Sequence, residues 1–201
     1  MKTPSRKLGL LCVVSGPSGA GKTTICRRLA EADDNVTHTV SCTTRAPREG
    51  EVDGHDYHFL SEEEFERRIA AGEFLEHARV HGRRYGTLVS SVTERLLAGH
   101  DVVMDLDVQG GELIRQCQDE LVVKCRLDVF IMPPNAEELH SRLEARGTES
   151  QENFDLRMRN SLEEMEHWPK YDYLILSGDR EEDFAKFSSI IRSERMRVAR
   201  L

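Results

Sequence analysis

Residues 13–24, Val-Val-Ser-Gly-Pro-Ser-Gly-Ala-Gly-Lys-Thr-Thr, leave few folds open to this chain. Gly16, four residues, then Gly21-Lys22-Thr23 is phosphate-loop spacing. Its setting agrees: the apolar run 10–14 predicts a buried strand and 23–32 predicts a helix. Glycines let the backbone turn its N–H groups inward around an anion. The helix N-terminus adds its partial positive charge. There Lys22 reaches the outer phosphates of a nucleoside triphosphate, and the Thr23 hydroxyl can hold Mg²⁺. The candidate triphosphate-binding residues are Gly16, Pro17, Ser18, Gly19, Ala20, Gly21, Lys22, Thr23 and Thr24. A Gly-rich turn can do no more than join a strand to a helix, but Lys-Thr at this offset decides against that. The loop says that a triphosphate is held, not where its terminal phosphate goes.

The 201 residues suffice for one domain with lobes or insertions, and 38% apolar with 32% charged residues fits a globular chain with a charged surface. The net charge of −8 argues against a nucleic-acid partner, which needs a basic excess. A small phosphorylated substrate needs only a local arginine cluster. Cys12, Cys26, Cys42, Cys117 and Cys125 are odd in number and lack Cys-x-x-Cys spacing, as expected of free thiols in a reducing cytoplasm. No apolar stretch reaches membrane-spanning length and no signal-peptide pattern opens the chain, so no membrane partner is expected.

Strand-like apolar runs at 10–14, 102–106, 129–132 and 173–176 alternate with helical segments. That alternation predicts an α/β fold, a parallel sheet with helices on both faces. Ser61 with Glu64, and Asn135 with Glu138, read as helix-start signatures. From 37 to 90 the segments shorten and turn polar, with strand-like pieces at 57–60, 74–80 and 84–87 around one helix. This is the pattern of an inserted α+β lobe, with Asp53-Gly54 as a hairpin turn. Residues 146–153 lack an apolar face and suit a lid.

Three constellations bear on chemistry. Val102-Val103-Met104-Asp105 closes an apolar strand on a carboxylate, the place where a phosphate-loop protein holds Mg²⁺. Arg45 and Arg48 in a Pro-containing loop, with Arg142, Arg146 and Arg157 near the lid, supply guanidinium forks. Transfer between two anionic nucleotides needs such charge, although each arginine alone could be a solvated surface residue. Ser41, Tyr57, Glu76, Tyr85 and Thr87 form a polar set in the lobe. Guanine offers two adjacent donors, which one carboxylate accepts together and adenine cannot supply. Alone, Glu76 could be an exposed strand position.

Together these residues resemble the guanylate kinase family, over about residues 9–191. The distinguishing matches are Ser41-Cys42-Thr43-Thr44-Arg45-Ala46-Pro47-Arg48-Glu49-Gly50-Glu51, Asp53-Gly54-His55-Asp56-Tyr57-His58-Phe59, Gly72-Glu73-Phe74-Leu75-Glu76, Tyr85-Gly86-Thr87, Asp105-Leu106-Asp107-Val108-Gln109-Gly110 and Arg146-Gly147-Thr148-Glu149. The resemblance implies one domain over 8–199, with a core at 8–36 and 91–199, a GMP-binding lobe at 37–90 and a lid at about 146–153. It implies transfer of the γ-phosphate of ATP to GMP, and to dGMP, with Mg²⁺, by a monomer or homo-oligomer. Ser41 and Glu76 would read guanine, with Thr87 beside them, and Asp107 would serve either the guanine side or the metal network. Arg45, Arg48, Tyr57 and Tyr85 would hold the GMP phosphate. Lys22, Arg45, Arg142, Arg146 and Arg157 would act on the transferring phosphoryl group, and Thr23 and Asp105 would organise Mg²⁺. The pattern departs at His77 and Arg84, where the family often has Trp and Tyr, and in the run Leu174-Ile175-Leu176-Ser177-Gly178-Asp179, near which it usually carries an Asn meeting adenine; residues 116–126 are slightly long and read as a surface loop. Two other readings are a catalytically silent binding module and a kinase for another small acceptor. An intact loop argues against the first, and Ser41, Glu76 and Tyr85-Gly86-Thr87 argue against the second.

Overall fold

The computed structural model describes residues 8–80, 82–145 and 151–200. The chain opens with β1 (Leu11–Ser15), α1 (Lys22–Ala32) and β2 (Val36–His38). A lobe follows: β3 (Cys42–Thr43), β4 (His58–Phe59), α2 (Glu62–Ala70), β5 (Phe74–Val80) and β6 (Arg83–Leu88). The remainder runs α3 (Val89–Leu97), β7 (Asp101–Asp105), α4 (Val108–Gln116), α5 (Glu120–Cys125), β8 (Arg126–Met132), α6 (Ala136–Glu144), α7 (Gln151–Met165), β9 (Tyr173–Leu176) and α8 (Arg180–Arg195).

The core is a parallel sheet in the order β2-β7-β1-β8-β9. β1 lies at its centre with every residue buried, which is why its sequence is a continuous apolar run rather than an alternating one. Alternate β1 residues serve opposite faces. Cys12 and Val14 pack with Ile25, Leu29, Phe187 and Ile191 of α1 and α8. Leu11 and Val13 pack with Val92, Leu96, Ile114 and Val122 of α3, α4 and α5. The helices therefore cover both faces, as the spacing of strands and helices predicts.

The lobe holds a second sheet, β4-β3-β6-β5, under α2. Phe65 of α2 is fully buried and stacks on Phe74 of β5 at 4.4 Å. Ser61 caps α2, its hydroxyl accepting from Glu64 N at 3.1 Å, and Asn135 caps α6 through Glu138 N at 2.8 Å. Both caps lie where the sequence places them.

The structure corrects three boundaries. β2 pairs with β7, and Thr39 N donates to Val103 O at 3.0 Å, so the core sheet extends beyond residue 37. Asp53-Gly54 does turn, Gly54 having φ 76°, but β3 and β4 run parallel, so the segment between them is a crossover and not a hairpin. Residues 116–126, read as a surface loop, contain α5, capped by Asp119. Of the lid expected at 146–153, residues 151–153 open α7, and Arg146 with the rest lies outside the described residues.

Candidate active site

The phosphate loop joins the C-terminal end of β1 to α1, where parallel α/β sheets hold their ligands. Gly16 has φ 146°, and a Cβ there would lie 1.9 Å from the Ile131 carbonyl oxygen of β8. Only glycine lets the loop pass that strand. Lys22 folds back over the loop, its ammonium donating to Gly16 O at 2.6 Å and Pro17 O at 3.0 Å. Thr23 Oγ1 donates to Asp105 Oδ2 at 2.5 Å, joining the first turn of α1 to the end of β7. Burial works against ionising Asp105, but the hydrogen bonds from His38 and Thr23 outweigh it and hold the carboxyl below its usual range.

Cavities open on either side of this loop. One, of about 470 Å³, is walled by Lys22, Thr23, His38, Ser41, Tyr57, Glu76, Tyr85 and Asp105. It brings the loop's lysine and the lobe's polar set into one space. The other, of about 430 Å³, lies between Gly19–Thr24, α6 and the start of α8.

In the first cavity Glu76 projects from β5 beside the N-terminal turn of α4. Gly110 makes room for it: a Cβ there would meet Glu76 Oε2 at 3.4 Å. Burial pushes the Glu76 carboxyl up to about 7; bonds from Thr87 oppose the shift, and the Asp107 charge adds to it. Ser41 Oγ lies 3.4 Å from Thr87 Oγ1. Thr87 is itself fully buried, so it stands behind Ser41 and Glu76 rather than on the cavity wall. Asp107 caps α4, accepting from Gly110 N at 2.8 Å, and still borders the cavity.

Arg45 makes a two-pronged ion pair with Glu51, at 2.8 and 2.9 Å, with Tyr57 and Phe59 rings 5.3 and 5.9 Å from its guanidinium carbon. The Glu51 bond raises the arginine's pKa and lowers the carboxyl's. Tyr85 meets Tyr57 edge-on at 6.0 Å. The Arg48 residue is exposed, although its N–H donates to Glu51 at 2.7 Å. Arg84, at a departure from the family pattern, turns away to α2 and pairs with Glu62 and Glu66.

Arg142 and Arg157 lie elsewhere. Arg142 lines the second cavity, held by Glu138 at 2.7 Å and by Ser177 Oγ and O at 3.0 and 2.9 Å. Ser177 in turn donates to buried Asp183 at 2.9 Å. Ser177, in the run that departs from the family pattern, thus anchors an arginine. Arg157, on α7, lines a third groove shared with α4 and His77 of the lobe. Arg142 and Arg157 thus lie in separate clefts, and neither lines the first cavity.

Comparison with known proteins settles the family. The guanylate kinase family model matches residues 9–194. This chain belongs to the guanylate kinase family. A guanylate kinase of Paramagnetospirillum magneticum is 45% identical over 201 residues, covering 100% of this chain and 91% of the relative. One from Clostridium perfringens is 44% identical over 193 residues, covering 96% and 87%. The crystal structure of guanylate kinase from Anaplasma phagocytophilum matches with a TM-score of 0.80 at 32% identity, covering 98% of this chain and 91% of that one. As a guanylate kinase family member the chain is an ATP-dependent kinase that phosphorylates GMP to GDP.

Sequence reasoning missed His38, Arg27 and Arg28. His38 Nε2 lies 2.6 Å from Asp105 Oδ1. Arg27 of α1 reaches Asp56 of the lobe at 2.8 Å. Arg28 pairs with Glu181 and covers the Phe184 ring at 4.1 Å, on the wall of the second cavity. The missed partners lie far along the chain, and no local spacing marks them.

Proposed function

We propose that the phosphate loop holds ATP with its base in the 430 Å³ cavity, and that GMP fills the 470 Å³ cavity. One observation carries this reading: the carboxylate suited to guanine, Glu76, shares a cavity with Lys22 and Thr23 of the loop. Glu76 accepts from guanine N1–H and the 2-amino group, and the Ser41 hydroxyl donates to O6. Thr87 steadies both side chains from behind. Arg45, Arg48, Tyr57 and Tyr85 hold the GMP phosphate, and Arg45 gives up part of its hold on Glu51 to do so. Every contact falls on base or phosphate, so dGMP is also an acceptor. Asp107 keeps its capping role and its field discourages a second anion near Glu76.

The residues fit a magnesium ion. Thr23 and Asp105 bring two hard oxygen donors together beside the loop, with the carboxyl held ionised. Bound there, the ion neutralises phosphate charge. Lys22 leaves its loop carbonyls for the transferring phosphoryl group, joined by Arg142, Arg146 and Arg157 as the clefts close. Attack is direct and in line, with no covalent enzyme intermediate; alignment, charge neutralisation and exclusion of water supply the rate. The reaction calls for no nucleic-acid or membrane partner and suits the cytoplasm.

Coupled ADP-release assays with GMP, dGMP, AMP, UMP and CMP test the reading. GMP and dGMP are expected to exceed the others by roughly tens-fold or more in kcat/KM, as a paired hydrogen-bonding site can achieve. No turnover with any acceptor would overturn it.

A further inference from the structure

His38 belongs to none of the motifs that define the site, yet it touches the site's central carboxylate. It ends β2, whose parallel register sets His38 beside Val103 of β7. Asp105 lies two residues further along β7, and His38 Nε2 reaches its Oδ1 at 2.6 Å. Thr23 takes the other oxygen, Oδ2, at 2.5 Å. Both side chains of the His–Asp pair are mostly shielded, 14% and 19% exposed. An ionised carboxylate can only accept, so Nε2 carries the proton of this bond.

The two bonds have different fates once a cation binds. The Thr23–Asp105 bond lies where two cation ligands meet, so the ion takes its place. The His38 bond is on the far oxygen and can persist. A carboxylate pinned on one oxygen cannot rotate away, and its second oxygen stays aimed at Thr23. Such outer hydrogen bonds commonly govern about 10–100-fold in metal affinity or activity.

We propose that His38 is a positioning residue: it fixes the Asp105 carboxylate so that Oδ2, with Thr23, is presented to the divalent cation of the nucleotide. This rests on the assignment of Thr23 and Asp105 to the cation. His38 borders the cavity assigned to GMP, but its bond is to Asp105, and through that carboxylate it acts on metal affinity rather than on guanine recognition.

The test compares His38→Leu, which fills the same space without a donor, with His38→Gln, whose amide can donate in place of Nε2. Two quantities are measured: the Mg²⁺ concentration giving half-maximal rate, and Mn²⁺ binding to the complex of enzyme with a non-hydrolysable ATP analogue, followed by electron paramagnetic resonance. His38→Leu should weaken both by about tenfold, within the range for such outer-sphere bonds. Raising the metal concentration should restore most of its kcat, the split that separates metal affinity from the transfer step. His38→Gln should recover most of the metal affinity. A merely structural histidine would shift thermal stability without this selective loss. Asp105→Asn is the control. If it weakens Mn²⁺ binding while His38→Leu leaves it within twofold of wild type, the inference on His38 falls alone. If Asp105→Asn also leaves binding unchanged, the cation assignment falls with it.

Discussion

Glu76 is a carboxyl kept at the edge of ionisation. Its pKa in the folded protein is about 7 against an ordinary 4.5, because burial disfavours the charge that guanine needs. Below pH 7 the ionised fraction drops about tenfold per pH unit, so KM for GMP should rise by that factor while kcat at saturating GMP holds. Initial rates from pH 5.5 to 8.5 check this, and a flat KM would remove Glu76 from guanine recognition. The same shift acts on folding with a definite sign. A carboxyl with a raised folded pKa binds more protons folded than unfolded between 4.5 and 7. Its cost to stability therefore grows through that window and is complete above it. Glu76→Gln removes the cost. The variant should be more stable than wild type at pH 8 by on the order of 1–3 kcal/mol, the gap closing at pH 5. It should also lose about 1–3 kcal/mol of GMP binding, since a donor now faces a donor. Urea unfolding at the two pH values, with GMP kinetics alongside, reads both effects.

At the level of elements, a single buried carboxylate ties the core together. Asp101 opens β7 and is 1% exposed; one oxygen accepts from Leu10 N at 2.8 Å, just before β1, and the other from Arg195 of α8 at 2.7 Å. Arg195 also reaches Asp33, after α1, at 2.7 Å. Asp101→Ala leaves a half-buried guanidinium with Asp33 alone and a buried amide without its acceptor, and should cost about 1–3 kcal/mol. A fall in the urea midpoint, with GMP KM unchanged, is the expected result; a loss under about 1 kcal/mol would deny the tie its importance. Elements of this core were legible in the sequence where their own residues determine them. β1 and most of β8 are buried, β9 is an apolar run at the sheet edge, and both capped helices carry their signals locally. β4 falls within the strand-like piece at 57–60, but β2 and β3 were not recognised, because pieces of two or three residues exist only through partners distant in the chain. The parallel pairing of β3 with β4 likewise depends on β6 holding β3 in place. The site divides in the same way. The loop residues, Glu76 and Asp105 sit in recognisable local runs. His38 and Arg27 gain their meaning from partners 67 and 29 positions away, and no local pattern announces them.

For the molecule as a whole, the positions of the arginines demand movement. Arg45 is held by Glu51 in the lobe, Arg142 by Ser177 in the second cavity, and Arg157 lines a groove between α7, α4 and the lobe. One transferring phosphoryl group cannot meet all three while they lie apart. Arg45 and Arg142 are also paired with Glu51 and Glu138, so a pair of phosphates must outcompete those carboxylates before the charge is delivered. Two nucleotides together supply that competition, one on each side of the loop, whereas either alone engages only one side. Lobe and α7 should therefore approach one another most when both are bound, which also excludes water from a γ-phosphate otherwise open to hydrolysis. Val52 in the lobe and Leu156 on α7 are 59% and 48% exposed and suit spin labels on cysteine substitutions in a cysteine-replaced background. The distance between them, measured by pulsed electron resonance, should shorten with GMP plus a non-hydrolysable ATP analogue, and shorten less with either alone. An unchanged distance with both nucleotides would mean that the separated arginines never converge, and Arg157 would then lose its place in the transfer step.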